Sequence, residues 1–186
     1  KIQAGYRTVP VTFVFQTACS LGDDTRNKKV YDGNEKSGYK LYRLEGYAFD
    51  PKQPQPGGTV PLYGWWNNER KDNLVTTKPS WGIDPLTIIW DGERVANSIP
   101  EKQGYRLSRL EGYIFDPQQP QPADTIPLYS WWNSERKENF SSTDPVWGID
   151  PNSVEWRGEN IANNVPEKWG YKMYRLEGYV FPNLML

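Results

Sequence analysis

The side chains in this chain that could do chemistry are its aromatics and the polar residues beside them. Trp65 and Trp131 each stand within the same segment, Pro-Leu-Tyr-x-Trp-Trp-Asn. Glu69, Arg70, Asp72 and Asn73 follow the first copy, and Glu135, Arg136, Glu138 and Asn139 follow the second. An exposed indole offers a flat apolar surface on which the C–H face of a pyranose stacks, while amide, carboxylate and guanidinium groups hydrogen-bond its hydroxyls. That chemistry is sugar recognition. With two such segments, the expectation is multivalent binding, in which several weak sites gain avidity on clustered glycans.

Catalysis finds much less support. The chain has no histidine, which removes Ser-His-Asp and Cys-His mechanisms and His-ligated metals together. One cysteine, Cys19, cannot build a thiolate zinc site or an internal disulfide, and reads as a half-buried apolar thiol. No glycine-rich loop has the spacing that cradles phosphate. Asp23-Asp24 lacks the staggered ligands of a calcium loop. A glycosidase-like carboxylate pair survives as chemistry, but no spacing singles out two of the many acids. The sequence therefore predicts a non-enzyme without metal or cofactor.

These residues sit in a chain that repeats itself. The segment Gly-Tyr-x-x-x-Arg-Leu-Glu-Gly-Tyr-x-Phe starts at Gly38, Gly104 and Gly170, a step of 66 residues. Ahead of each copy lies a proline signature, Thr8-Val9-Pro10, Thr59-Val60-Pro61 and Thr125-Ile126-Pro127. Three units follow, 8 to 58, 59 to 124 and 125 to 186. Unit one is short: 28 residues separate Pro10 from Gly38, against 43 in the other two. It has Val14-Phe15-Gln16 where the others have Trp-Trp-Asn.

Aromatic content of 15%, sixteen glycines, sixteen prolines and a mean hydropathy of −0.81 fit short strands joined by turns. Strands are expected at 60 to 67, 73 to 77, 86 to 90 and 104 to 115, and again at 126 to 133, 139 to 143, 153 to 156 and 170 to 181. Asp84-Pro85, Asp91-Gly92, Asp150-Pro151 and Arg157-Gly158 mark turns, with a helical turn possible over Glu93 to Asn97. The prolines of 50 to 56 and 116 to 122 favour extended surface connectors. Units too small to close their own cores imply one all-β domain, a β-trefoil or a related threefold barrel or prism. A row of three independent domains is the alternative.

Alternation along Val9, Val11, Phe13 and Phe15 defines an inward face. Carried across, it makes Trp66 and Trp132 core. It puts Tyr63, Trp65 and Asn67, with Tyr129, Trp131 and Asn133, on an outer, ligand-binding face; a bulge would reverse the assignment. The triplicated Arg43/Glu45, Arg109/Glu111 and Arg175/Glu177 recur even in the altered unit. They read as scaffold, either an ion pair or a glutamate capping backbone amides, and Gly46, Gly112 and Gly178 as places of close backbone approach or bulges.

The net charge is −1 with no basic run, so neither nucleic acid nor an anionic membrane is the expected partner. The longest apolar run, Val11 to Phe15, falls far short of the roughly 20 residues of a membrane helix, so no membrane insertion is expected. Lys1 in place of Met suggests a processed form or a module of a longer chain. Asn139-Phe140-Ser141 is a formal glycosylation sequon, common by chance.

Through Pro-Leu-Tyr-x-Trp-Trp-Asn, Asn-x-x-x-Thr and Tyr-x-x-x-Arg-Leu-Glu-Gly-Tyr-x-Phe, the chain resembles a tandem-repeat family of secreted bacterial proteins. It is similar, more distantly, to short repeats carrying Gly-Asp-His-Phe-Tyr-Thr-Thr. The resemblance covers units two and three and the second half of unit one, and implies an extracellular binding or adhesion module. Lys71 to Thr77 and Lys137 to Thr143 stand where the distant pattern has its histidine, so no role of that residue transfers. The leading expectation is a secreted, lectin-like carbohydrate-binding module. The alternative is a protein-interaction or structural module, such as an adhesin, a toxin's receptor-binding part or a self-associating filament subunit.

Overall fold

The computed structural model describes residues 7–16, 39–78, 87–144, 154–163, 167 and 170–182. They form an all-β, antiparallel structure of twelve strands: β1 Thr8–Gln16, β2 Tyr39–Phe49, β3 Thr59–Asn67, β4 Asp72–Thr76, β5 Trp90–Asp91 and β6 Arg94–Val95. The series continues with β7 Tyr105–Phe115, β8 Ile126–Asn133, β9 Glu138–Ser142, β10 Trp156–Arg157, β11 Asn160–Ile161 and β12 Tyr171–Val180. Glu93 to Asn97, read as a possible helical turn, contains strand β6 instead. Cys19, Asp23-Asp24, Asp84-Pro85 and Asp150-Pro151 lie outside the described residues.

Each proline-signature strand pairs with the Arg-Leu-Glu strand of its own unit: β1 with β2, β3 with β7 and β8 with β12. β4 folds back on β3 and β9 on β8. The Arg-Leu-Glu strands touch at their C-terminal ends, where Phe49 stands opposite Tyr113, Phe115 opposite Tyr179 and Phe181 opposite Tyr47. There the rings of Phe49, Phe115 and Phe181 meet edge to face, with centroids 5.3 to 5.5 Å apart. Such contacts add roughly 0.5–1.5 kcal/mol each beyond area burial.

Both faces of the long hairpins are covered. One face contributes Leu62, Leu128, Ala48, Ile114 and Val180 to a core shared by all three units, with Val9, Val11, Val60 and Ile126 packed around it. The opposite face of β3 and β7 buries Tyr63, Trp65, Leu74, Tyr105, Leu107 and Leu110 under Trp90 and Val95 of the β5–β6 ribbon. β8 and β12 do the same with Trp131, Phe140 and Met173 under Trp156 and Ile161. Asn97 fastens the first ribbon by accepting from Ile89 N and donating to Thr87 O, both at 2.9 Å.

The Arg-Leu-Glu strands hold neighbouring units. Fully buried Glu177 accepts from Thr77 N at 2.7 Å, from the hydroxyls of Thr76, Thr77 and Ser130, and from Arg175 Nε at 2.9 Å. Glu45 does the same for the end of β9, accepting from Thr143 N at 2.7 Å and from the hydroxyls of Ser142 and Thr143. Ion pairing and capping of a backbone amide, the two scaffold roles expected of this motif, thus both occur at Glu177. The glycine behind each glutamate admits a neighbouring carbonyl. A Cβ on Gly46 would lie 2.7 Å from Phe181 O and one on Gly112 2.8 Å from Phe49 O, while one on Gly178 would strike Phe115 O.

Each connector opens with a turn, which the expectation of an extended run does not include. Asp50 Oδ1 accepts from Lys52 N, Asp50 O accepts from Gln53 N, and Gln55 Nε2 donates back to Asp50 O. Asp116, Gln118, Gln119 and Gln121 repeat the arrangement. The turn brings a glutamine five residues on within reach of the aspartate carbonyl.

Candidate functional site

The structure reverses the burial expected of the tryptophan pair. Trp65 is 1% exposed and Trp131 fully buried, while Trp66 and Trp132 are half-buried. The cause is local. Both register shifts leave the extra residue, Glu111 and then Ser108, on β7, so β3 keeps its alternation: Trp65 stays on the face opposite Leu62, and the β5–β6 ribbon covers that face. Tyr63 and Tyr129 are buried for the same reason and stack on Trp90 and Trp156, with interplanar angles of 10° and 13°. Their phenols are pushed up to about 12, first by burial and then by Tyr113 and Tyr179.

Other predicted ligand residues hold turns together. Buried Asn67 accepts from Arg70 N at 2.9 Å, and buried Asn133 from Glu135 N at 3.0 Å and Arg136 N at 2.9 Å. These bonds shape the turns leading into β4 and β9, in which Lys71 and Lys137 adopt the left-handed region at φ 53° and 56°. Asp72 is buried, accepting from the Tyr105 hydroxyl and, at 3.1 Å, from Asn139 Nδ2. Burial raises the Asp72 carboxyl against the opposing pull of these bonds. Glu138 accepts from Tyr171 OH at 2.8 Å. Asn73, Glu69, Glu135 and Arg136 remain exposed.

Four of the predicted residues, Asn67, Glu69, Arg70 and Asn139, line one cleft of about 1070 Å³. It lies between units two and three, so the expectation of one site per unit gives way to a shared one. Asp72, Asn73, Glu135, Arg136 and Glu138 do not line it, nor do the buried Tyr63, Trp65, Tyr129, Trp131 and Asn133. The β3–β4 turn supplies Arg70, whose side chain donates to Gln103 O at 3.2 Å and lies 4.8 Å over the Tyr105 ring. The β8–β9 side supplies Trp132, Ser134 and Lys137, and the β11–β12 side Asn160, Asn163 and Tyr174. The chain matches no family model, no curated protein and no solved structure.

The cleft thus combines half-buried aromatic surface with amides and cations. Its Trp132, Tyr174, Lys78, Lys172 and Arg175 were not among the residues picked from the sequence. Trp132 was within reach, being the other half of the pair, but only the covering ribbon reveals which half is shut in. The small residues Gly64 and Ser130 were the available signal. A Cβ on Gly64 would collide with the Glu111 carboxylate, and Ser130 instead donates its hydroxyl to Glu177. Among the described residues no group of three Cys, Asp or Glu side chains is placed to hold a metal ion.

Proposed function

We propose that the chain is a carbohydrate-binding module, non-catalytic and acting outside the cell, built as a threefold β-trefoil-like barrel that binds a glycan between its second and third units. The observation that carries this reading is the cleft itself. Trp132 offers ring surface for the C–H face of a sugar, and Asn160 and Gln103 offer amides that both donate to and accept from hydroxyls. The cyclic contacts of Phe49, Phe115 and Phe181 support the threefold arrangement. The resemblance to secreted repeat proteins supports the extracellular setting.

The test is a panel of immobilised oligosaccharides read with the intact chain, with Trp132→Ala and with Trp65→Ala. Trp132→Ala should lose about tenfold or more in affinity while keeping its melting temperature within a few degrees, since a stacked ring is worth about 1–2 kcal/mol. Trp65→Ala should instead lose about 3–5 kcal/mol of stability, the cost of emptying a buried Trp site. Absence of binding to any glycan, with a pull-down partner that sugar does not displace, would favour a protein-interaction module instead.

A further inference from the structure

We propose that the cleft takes an acidic oligosaccharide, one whose sugars carry carboxylate or sulfate groups, in preference to a neutral glycan; this rests on the carbohydrate reading above. Five of the lining side chains are cations, Arg70, Lys78, Lys137, Lys172 and Arg175, and one, Glu69, is a carboxylate. In sequence they are scattered over more than a hundred positions, which is why no basic run announces them.

The five divide by what they already do. Arg175 is spent on the scaffold, 2.9 Å from both Glu177 and Glu159, and Lys172 pairs with Glu167 at 3.2 Å. Arg70, Lys78 and Lys137 have no carboxylate within ion-pair distance among the described residues. Lys78 and Lys137 are exposed, so their ammonium groups keep their water until a ligand arrives. Arg70 is different in kind. Its stem is fixed by Asn67 at the backbone, and its guanidinium rests on Tyr105 and donates to the Gln103 carbonyl. A guanidinium held in place loses little freedom when its remaining N–H groups fork onto a carboxylate or sulfate. A neutral sugar would leave these three cations without an ion-pair partner, whereas an acidic one pairs them while its ring uses Trp132 and the amides.

The experiment is calorimetric titration of the intact chain with three sets of oligosaccharides of equal length, uronic-acid, sulfated and neutral, and with a single-stranded oligonucleotide of matched charge. Acidic sugars should bind about tenfold or more tightly than neutral ones, and lose affinity as salt rises from about 50 to about 300 mM. Lys78→Gln combined with Lys137→Gln should cut acidic binding about tenfold, remove most of its salt dependence and leave the circular dichroism spectrum unchanged. The two acidic sets decide between carboxylate and sulfate. Equal binding of neutral and acidic sugars, indifferent to salt and to the double variant, overturns the inference and leaves the carbohydrate reading standing. No binding to any sugar removes both. Tighter binding of the oligonucleotide than of every sugar also overturns it.

Discussion

The three glutamates of the Arg-Leu-Glu motif are alike in sequence and unlike in surroundings. Glu177 closes five hydrogen bonds out of reach of water. Glu111 has Arg109 Nε at 3.4 Å, and both side chains are partly exposed, 30% for Glu111 and 52% for Arg109. Unit one, which is short, supplies no described counterpart of Thr76-Thr77 or Ser142-Thr143 to it. Glu177→Gln should therefore cost about 3–5 kcal/mol in urea denaturation, because it takes from buried Arg175 one of its two carboxylates and reverses the polarity facing two hydroxyls. Glu111→Gln should cost less than about 1 kcal/mol. A pH signature separates the two further. Burial raises the Glu111 carboxyl above the usual range. Its share of stability is then complete below the ordinary glutamate pKa and is lost as pH rises through the higher folded value. Glu111→Gln should flatten the decline in stability measured between about pH 4 and about pH 7, without abolishing it, since Asp72 is shifted the same way. A slope identical to that of the unaltered chain would contradict this account. From the sequence, recurrence in all three units was enough to mark the motif as scaffold, but not to show that its second copy is under-employed.

At the scale of elements, strand positions and their two faces were legible, and what covers each face was not. Alternation identified β1, β3 and β8 within a residue or so, and correctly sent Val60, Leu62, Ile126 and Leu128 inward. Beyond Leu62 the alternation still held along β3, but the exposure read from it did not, because the short ribbons β5–β6 and β10–β11, two residues per strand, cover what would otherwise be a wet face. Ribbons that short leave almost no periodic trace. The glycines that accompany the bulges can be tested directly. Gly178 sits at φ 152° with no room for a Cβ beside the Phe115 carbonyl, whereas Gly58, at φ 76°, has nothing within 4 Å. Gly178→Ala should destabilise by roughly 3 kcal/mol or more, since backbone on backbone cannot give way. Gly58→Ala should cost about 1 kcal/mol, the conformational penalty alone. Comparable melting temperatures for the two variants would mean that the close approach is not what the motif glycine serves.

For the whole molecule, the question left by the proline-rich connectors is whether the units are beads or one body. The contacts favour one body, because each buried glutamate fastens a strand of a different unit. Glu45 of unit one holds the end of β9 in unit three, and Glu177 of unit three holds the end of β4 in unit two. Phe181 joins the last unit to the first through reciprocal backbone bonds with Tyr47, at 2.8 and 3.1 Å, and through its ring contacts with Phe49 and Phe115. Removing one such ring empties a site that three units share. Phe181→Ala should thus lower stability by about 3–5 kcal/mol and shift one calorimetric transition as a whole, its calorimetric and van't Hoff enthalpies staying equal. Beads on a connector would respond otherwise: only the transition of unit three would move, while the other two held their midpoints. The same coupling bears on the cleft, whose walls come from two units. A ligand bound there should raise the melting temperature of the entire chain, because binding to one cooperative body stabilises all of it at once.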